Sequence, residues 1–321
     1  GDSYKMNSGT WVQEMDGFQK VFAGKTVDEI EEWFSKYTSD LNGRPLVESM
    51  DKEEDVKKYS ALSDEEKAML ADVTSSATMS LKDPHGDIVG AYRKAYENRV
   101  PLKKLENASI GIGLNTSGRL GPGKDNLGTQ VYSINEVFAA LLFDKDGKVL
   151  DAHIDQLEIA SPNYDGPSMP HFSGYPGSEP YNSDLDHDGK VDESAPEITE
   201  ESFSEEITTW ATKRERGDGY RLGTGTWSSQ MDAFEEFFVG KTVEEIEDWF
   251  NKYTASNGRP LKPEQKNEED QAKYDALSDE EKAMLADVTS SATISLKDAH
   301  GDILGAIKEA YENRMELTVE E

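Results

Sequence analysis

An internal repeat constrains the fold of this chain more than any other feature of its sequence. The eighteen residues ALSDEEKAMLADVTSSAT occur at positions 61–78 and again, letter for letter, at positions 276–293. The repeat extends to both sides, with GKTVDEIEEWFSKYT at 24–38 matched by GKTVEEIEDWFNKYT at 240–254, and KDPHGDIVGAYRKAYENR at 82–99 by KDAHGDILGAIKEAYENR at 297–314. Self-similarity at a fixed period predicts two copies of one structural module.

Each copy has the sequence pattern of a helical module. Capping boxes, in which a Ser or Thr is followed three positions later by Glu, predict helix starts at Thr26, Ser63, Thr242 and Ser278. The helices that follow Thr26 and Thr242 place Ile, Trp, Phe and Tyr side chains on one face, as a helix packed on a core does. A further helix is expected at about 86–98 and about 301–313.

The residues between the two copies follow a different pattern. Positions 131–160 contain two apolar, β-type runs joined by DKDGK, and an Asp-Gly pair between such runs predicts a β-hairpin. A glycine-rich stretch at 111–128 precedes the hairpin, and an acidic loop rich in Pro and Gly follows it at 161–196. Together with the helical half at 201–321, these elements predict an α+β fold in which a small antiparallel sheet packs against several helices.

The order of these segments divides the chain near residue 100. Residues 1–100 hold a helical half alone, whereas residues 101–321 hold a hairpin followed by a helical half. The repeating unit is therefore expected to place its hairpin first and its helices second, and the first copy lacks its own hairpin. Either this copy is truncated at its N-terminus, or the unit is circularly arranged and ends without its hairpin.

Composition excludes several classes of function. The formal net charge is −31, with 65 acidic residues against 34 Lys and Arg. Phosphate backbones bind clustered basic side chains, so nucleic acid is not an expected partner. The absence of cysteine excludes disulfides, thiolate metal sites, iron–sulfur clusters and a Cys nucleophile. Any redox chemistry of this chain must therefore reside in a bound cofactor.

The end of the repeated segment, DVTSSAT at 72–78 and 287–293, concentrates hydroxyl side chains. Such residues commonly bond backbone N–H groups at turns and helix starts, which is one interpretation of the segment. A Thr hydroxyl is a poor nucleophile without a base, and the nearest histidines, His85 and His300, stand seven residues beyond each segment. A self-sufficient Thr catalyst is therefore not expected, whereas a Thr that a second enzyme modifies is compatible with the sequence.

The same seven residues resemble the flavinylation motif of FMN-binding domains. In that family an Asp is followed by a Ser or Thr, a small residue, Ala and the acceptor Thr. A separate Mg-dependent flavin transferase attaches FMN from FAD to this Thr through a phosphoester bond. The resemblance implies that the acceptors are Thr78 and Thr293, and the matching motif residues are Asp72, Ser75, Ser76, Ala77, Asp287, Ser290, Ser291 and Ala292. Ser76 and Ser291 occupy the small position, where Gly is frequent.

The resemblance extends through the flanking segments. The hairpin, the segment TKRERGDGY at 212–220, the Trp after it and GKTVEEIE follow the same order as in FMN-binding lipoproteins of Gram-positive bacteria. It implies tandem FMN-binding domains with two covalent FMN groups, at the cell surface, with a lipid anchor upstream. The implied role is an electron carrier, not an enzyme, between a membrane quinone-linked reductase and external acceptors. A true reductase is an alternative.

Aromatic and histidine side chains near each motif are candidates for contacts with a flavin. Trp11 and Trp227, each preceded by a Tyr, either stack on the flavin ring or fill the core. His85 and His300, each in the context HGD, either form hydrogen bonds near the flavin or cap the next helix.

A second motif lies in the acidic loop. SDLDHDGKVDE at 183–193 fills positions 1, 3, 5, 7 and 9 of a calcium-binding loop with Asp184, Asp186, Asp188, Lys190 and Asp192. Ala195 stands at position 12, where an EF-hand has its bidentate Glu. The segment is therefore either a weak extracellular Ca²⁺ site or an Asp- and Gly-rich turn. The alternative function for the whole chain is a calcium-stabilised extracellular binding module with structural Thr loops.

Overall fold

The computed structural model describes residues 4–6, 8–99, 107–125, 127–164, 169–178 and 197–317. The chain divides into two compact units, Gly1–Lys103 and Lys104–Glu321, here called unit 1 and unit 2. Within the described ranges, no helix has both the length and the apolar character needed to cross a membrane.

The described residues of unit 1 form five α-helices and one short β-ribbon. The helices are α1 (Trp11–Phe22), α2 (Val27–Tyr37), α3 (Glu53–Ser60), α4 (Asp64–Thr74) and α5 (Ile88–Glu97). Strands β1 (Lys82–Asp83) and β2 (Gly86–Asp87) pair antiparallel between α4 and α5.

Side-chain caps explain where these helices begin. Thr26 and Ser63 form reciprocal capping boxes at the starts of α2 and α4, which confirms the prediction for both positions. A box that the sequence pattern did not suggest starts α1, where Thr10 accepts from the N–H of Gln13 and the Gln13 side chain accepts from the N–H of Thr10.

The core of unit 1 joins side chains of α1, α2 and α4. Phe18 and Phe22 of α1 stack with their ring centroids 5.9 Å apart, and Trp33 of α2 meets the Phe22 ring edge-on at 5.4 Å. Leu70 of α4 is buried in the same cluster. Phe18 and Phe22 are four residues apart, so both lie on one face of α1 and face the core together.

Unit 2 contains a sheet as well as helices. Its strands are β3 (Ser109–Lys124), β4 (Gln130–Phe143), β5 (Val149–Ala160), β6 (Arg221–Leu222), β7 (Gly225–Thr226), β8 (Lys297–Asp298), β9 (Gly301–Asp302) and β10 (Met315–Glu316). Its helices are α6 (Glu200–Thr208), α7 (Trp227–Phe238), α8 (Val243–Tyr253), α9 (Glu268–Asp275), α10 (Asp279–Ser291) and α11 (Ile303–Glu312), with a 3₁₀ turn at Gly217–Gly219. Capping boxes at Thr242 and Ser278 start α8 and α10 as predicted.

The main sheet is antiparallel and has the strand order β10-β3-β4-β5. Strands β4 and β5 form the predicted hairpin, and its turn is held by Asp144, whose side chain accepts from the N–H groups of Asp146 and Lys148 at 2.9 Å each. Gly147 in this turn has a φ of +78°, a conformation that glycine adopts without a steric penalty. The hairpin prediction is therefore confirmed, together with the physical reason for it.

The glycine-rich stretch expected before the hairpin proves to belong to the long strand β3. A Cβ atom on Gly111 would lie 1.7 Å from the carbonyl oxygen of Ala310, and one on Gly113 would lie 1.9 Å from that of Ala306. Both contacts are with α11, so the two glycines permit this helix to cross the strand at close range. The glycines therefore indicate packing of a helix on a strand and not a loop.

One face of the sheet packs against α7 and α11. Val137, Ala139 and Leu141 alternate along β4 and are at most 1% exposed on this face. Phe234 of α7 and Ile307 of α11 are buried in the same cluster. This arrangement confirms the α+β class. Among the described residues of unit 1, no strand corresponds to β3, β4 or β5.

Candidate functional site

The DVTSSAT segments lie at the C-terminal ends of two helices. Helix α4 ends at Thr74 and α10 continues to Ser291, and Thr78 and Thr293 follow in the turns that lead to β1 and β8. The hydroxyl of Thr74 donates back to the carbonyl oxygen of Leu70 at 2.7 Å. Because the hydroxyl groups bond to the preceding helix, their interpretation as caps of a helix start is wrong.

In unit 1, a buried carboxyl group holds the backbone at Thr78. Glu14 of α1 is 0% exposed, and its Oε2 accepts from the N–H of Thr78 at 2.8 Å and from the N–H of Met79 at 2.7 Å. The Thr78 hydroxyl donates to the same Oε2 at 3.2 Å and lies 3.0 Å from the hydroxyl of Ser8. The other carboxyl oxygen, Oε1, is buried without a hydrogen-bond partner in the described structure.

In unit 2, an amide occupies the equivalent position. Gln230 of α7 is 0% exposed, and its Oε1 accepts from the N–H of Thr293 at 2.8 Å and from its hydroxyl at 3.1 Å. The hydroxyl of Thr224 lies 3.1 Å from that of Thr293, in the same relation as Ser8 to Thr78. The amide nitrogen of Gln230, Nε2, is buried and has no partner among the described residues.

The remaining motif residues divide by exposure. Ala77 and Ala292 are buried at 0% and 1% exposure, and the candidate acceptors Thr78 and Thr293 are partly exposed. The polar motif residues are all exposed, namely Asp72, Ser75, Ser76, Asp287, Ser290 and Ser291. In each motif the Ala side chain therefore packs in the core, whereas the Asp and Ser side chains lie at the surface.

A pocket of about 130 Å³ lies beside Thr293 in unit 2. Ile294 and Ser295, the two residues after Thr293, contribute to its wall, and Trp227 and Tyr220 contribute aromatic surface. The further lining residues are Gln156, Lys213, Leu222, Arg259, Asp298 and His300. The pocket thus joins the motif to the sheet, the TKRERGDGY segment and the start of α7.

The cationic group in this pocket is buried and paired. Lys213 is 3% exposed, and its Nζ donates to Gln156 Oε1 at 2.9 Å and lies 3.3 Å from Glu158 Oε2. Burial lowers the pKa of Lys213, and the charge of Glu158 opposes this change. Burial alone would raise the pKa of Glu158, but Lys213, His300 and Arg119 outweigh it and hold the pKa below its usual value. The charge of each group therefore favours the charged form of the other, against the effect of burial.

The equivalent aromatic side chains are in different environments in the two units. Trp227 is 3% exposed and belongs to the core of unit 2, with the ammonium of Lys213 5.9 Å from its ring. Trp11 is 42% exposed. Trp227 therefore fills the core and also lines the pocket, whereas Trp11 presents its ring to solvent.

Unit 1 has a groove beside its motif. The groove has a volume of about 670 Å³, lies between α1, α2 and α4, and includes Asp72, Ser75 and Ser76 of the motif. Its wall also carries Lys20, Lys25, Lys36, Trp33 and Tyr37. Val21 also lines this groove, and in unit 2 the equivalent residue is Phe237, whose ring lies 4.9 Å from that of Trp249.

The histidines do not cap the helices that follow them. The side chains of Asp87 and Asp302 cap α5 and α11, so the capping role predicted for His85 and His300 is wrong. His300 Nδ1 instead pairs with Asp298 at 2.9 Å and borders the pocket. The equivalent side chain of His85 is largely exposed.

The calcium motif belongs to a segment outside the described residues. Asp184, Asp186, Asp188, Lys190 and Asp192 all lie outside the described residues. Within the described ranges, no group of three or more His, Asp or Glu side chains is arranged to hold a metal ion.

Sequence reasoning missed the residues that hold the candidate acceptors. Glu14 and Gln230 lie four positions before Phe18 and Phe234, so each is a polar residue on the apolar face of its helix. A polar side chain in such a position must find a partner when it is buried, which is a signal that the sequence contains. The same signal applies to Glu158, which shares the buried face of β5 with Ile154 and Gln156.

The chain is similar to a protein named chlorophenol reductase from Desulfitobacterium hafniense. The two are 34% identical over 229 residues, which make up 68% of this chain and 61% of that protein. The chain thus spans less than two thirds of the length of this relative. No protein-family model matches the chain, and no solved structure matches it.

Proposed function

We propose that this chain is an extracellular electron-transfer flavoprotein of the FMN-binding domain family, with one FMN esterified to Thr78 and a second to Thr293. The observation that supports this most strongly is the shared geometry of the two threonines. Each hydroxyl is partly exposed beyond a helix end, while a buried side chain, Glu14 or Gln230, fixes the backbone beneath it. An accessible hydroxyl on a fixed backbone suits modification by a second enzyme.

The residues around Thr293 are chemically suited to FMN. Gln230 offers a buried N–H group that has no partner among the described residues, and Trp227, Tyr220 and Lys213 supply aromatic surface and a positive charge in the adjoining pocket. Bound FMN would supply the electron-transfer chemistry, which the side chains of this chain cannot supply themselves. Covalent attachment would keep the cofactor at a high effective concentration in a site open to solvent.

The environment of the hydroxyl groups favours attachment by a separate transferase. The Thr293 hydroxyl donates to an amide oxygen, which cannot accept its proton in a reaction, and its other contact is the hydroxyl of Thr224. His300 is occupied by Asp298. A Mg-dependent flavin transferase that uses FAD would bring its own base and metal, which Thr293 lacks among its described neighbours. Thr78 differs, because its hydroxyl donates to the carboxyl group of Glu14 at 3.2 Å.

The proposed setting is the cell surface, with a lipid anchor upstream. Electrons would arrive from a membrane quinone-linked reductase and leave to external acceptors, with the two flavins as consecutive carriers. We also propose that the loop at 183–193 binds Ca²⁺ weakly and serves to hold the acidic loop in place. The net charge of −31 is consistent with these partners and disfavours nucleic acid.

The experiment is co-expression of the chain with an active flavin transferase, followed by absorbance and intact-mass measurement. We expect a yellow protein whose mass exceeds that of the polypeptide by two FMN groups. A colourless protein of unmodified mass, in the presence of active transferase and FAD, would overturn the proposal. That result would favour the calcium-stabilised binding module, which calcium titration of the same sample would then test.

A second candidate, a reductase with its own substrate, is supported by the pocket in unit 2 and by the name of the relative. The pocket combines Lys213, His300 and Tyr220 close to Thr293, as a substrate site beside a bound flavin would. Steady-state assays with chlorinated phenols distinguish the candidates. A carrier passes the electrons of its reduced flavins to many acceptors, without saturation by any one of them. A reductase turns over one acceptor with a measurable KM, and the Lys213→Met variant loses this selectivity.

A further inference from the structure

We infer that the two candidate acceptors are chemically unequal, because Gln230 can donate a hydrogen bond to a phosphate on Thr293 whereas Glu14 opposes a phosphate on Thr78. Gln230 is then a positioning residue for the attached group, and Thr293 is modified faster than Thr78. This inference rests on the proposed function and adds an order to the two attachment events.

The orientation of Gln230 follows from its backbone partner. The N–H of Thr293 can only donate, so the Gln230 atom 2.8 Å from it must be the carbonyl oxygen. The remaining atom of the amide is therefore Nε2, which carries two N–H groups. It is buried without a partner in the described structure, on a side chain whose Oε1 lies 3.1 Å from the Thr293 hydroxyl. A buried donor left unpaired in this way is costly unless a ligand satisfies it.

The carboxyl group of Glu14 has no donor of this kind. Its Oε2 already receives the N–H groups of Thr78 and Met79 and the Thr78 hydroxyl, at 2.8, 2.7 and 3.2 Å. The atom of this side chain that has no partner in the described part of the chain is the second oxygen, Oε1. In its carboxylate form Glu14 only accepts hydrogen bonds, so it cannot donate one to a phosphate oxygen.

Other contacts at the two hydroxyls are closely matched. Ser8 and Thr224 supply equivalent hydroxyl neighbours at 3.0 and 3.1 Å, and the motif residues are identical. The exchange of Glu14 for Gln230 is therefore the chemical difference within hydrogen-bond distance of the reacting oxygen.

The proposed reaction places a negative charge beside this residue. The bond between Thr Oγ1 and the phosphorus of the FMN half of FAD forms, the phosphorus–oxygen bond to AMP breaks, and AMP leaves with the bonding electron pair. The hydroxyl proton passes to the base of the transferase. The product is a phosphodiester with one negative charge on its free oxygens, bonded to an atom 3.1 Å from Gln230 or 3.2 Å from Glu14. A donor amide stabilises such a charge and a carboxylate repels it.

The experiment compares each acceptor alone. The Thr78→Val chain reports modification of Thr293, and the Thr293→Val chain reports modification of Thr78. Each is incubated with the same transferase and FAD, and intact mass is followed with time. We expect Thr293 to be modified at least about tenfold faster than Thr78. The reason is that Gln230 donates a charge-assisted hydrogen bond to the phosphate, whereas the carboxylate of Glu14 repels it.

Reciprocal variants then exchange the two environments. Glu14→Gln in the Thr293→Val chain is expected to raise the rate at Thr78, and Gln230→Glu in the Thr78→Val chain to lower the rate at Thr293. A misfolded chain would not be modified faster, so a higher rate in Glu14→Gln cannot arise from misfolding. The test therefore remains decisive even if Gln230→Glu fails to fold. Conversion of Glu14 to Ala is the matched control, since removal of the carboxylate without an added donor should restore only part of the rate.

Three outcomes decide the inference. Faster modification of Thr293, together with the gain in Glu14→Gln, supports it. Equal rates at both acceptors, or slower modification of Thr78 in Glu14→Gln, would overturn it while leaving the proposed function intact; the slower rate would show that Glu14 assists as a base. Absence of added mass on both threonines would overturn the proposed function and the inference together.

Discussion

Units 1 and 2 have nearly the same helical sequence in different surroundings. In unit 2 the helices pack on a sheet, and Trp227 is 3% exposed; in unit 1, where the described residues include no such sheet, Trp11 is 42% exposed. The His300 side chain is 36% exposed, against 90% for His85. The difference shows that the repeat sets the helices and their caps, whereas the sheet converts the end of the motif into a walled pocket.

Several local interactions, in contrast, are the same in both units. Glu66 and Glu281 each accept from a Lys ammonium at 2.5 Å and from a Tyr hydroxyl at 2.8 and 2.7 Å. The capping boxes at Thr26 and Thr242 are likewise equivalent. Effects that depend on the sheet should therefore differ between the units, and effects that depend on local contacts should not.

The largest expected difference is that between Trp227→Ala and Trp11→Ala. Removal of the buried Trp227 side chain should destabilise unit 2 by about 3–5 kcal/mol, because it leaves a cavity in the core. Removal of the exposed Trp11 side chain should cost unit 1 about 1 kcal/mol or less. Hydrogen exchange measured on peptides of α7 and α1 reports the two stabilities separately. Equal losses would contradict the different burial of the two rings.

A smaller effect tests the contact between sheet and helix directly. Gly113→Ala should destabilise unit 2 by about 1–3 kcal/mol, since the new Cβ would lie 1.9 Å from the carbonyl oxygen of Ala306 and force strand and helix apart. Gly118→Ala on the same strand is the matched control, because among the described residues no atom beyond its chain neighbours lies within 4 Å of its new Cβ. Denaturant unfolding of both variants checks this. A cost at Gly118 as large as that at Gly113 would argue against close packing of α11 on β3.

The smallest expected effect is the acid response shared by the units. The ammonium groups of Lys36 and Lys252, the backbone N–H groups of the two N-cap serines and the neighbouring Tyr hydroxyls lower the pKa of Glu66 and Glu281 to about 2. A lowered pKa in the folded state contributes stability above the usual value of 4.5, and this contribution is lost as the pH falls from about 4.5 to about 2. Glu66→Gln and Glu281→Gln should therefore each flatten the acid loss of stability in their own unit, and by similar amounts.

The measurement for this prediction is the free energy of unfolding of each unit at about pH 5 and about pH 2.5. Both glutamate side chains are partly exposed to solvent, which screens their ion pairs, so the changes in stability should be modest. A clear change in one unit and none in the other would contradict the equivalence of their local contacts.

The sequence predicted those parts of the fold that depend on short-range chemistry. The Asp-Gly turn at 144–148 and the boxes at Thr26 and Ser63 indicated the hairpin and helix starts correctly. Strand β3 was missed because Gly111 and Gly113 stand where apolar side chains would mark a buried face. The reason for these glycines is the approach of α11, nearly 200 residues further along the chain, which no local pattern reveals.

The candidate site shows the same division. The motif at Thr78 and Thr293 could be identified from its residues, but its partners Glu14 and Gln230 belong to another helix, 64 and 63 residues away. The ion pair of Lys213 and Glu158 likewise joins the sheet to a distant segment. Sequence patterns located the reacting side chains, and the tertiary structure was needed to identify the groups that hold them.

Intact mass after co-expression with the transferase, for the unaltered chain and for Thr78→Val, Thr293→Val and the double variant, tests the central claim most directly. The account predicts two added FMN groups, then one, one and none. Unchanged mass in all four chains would contradict it, as would two added groups in the double variant, because the flavins would then be attached elsewhere.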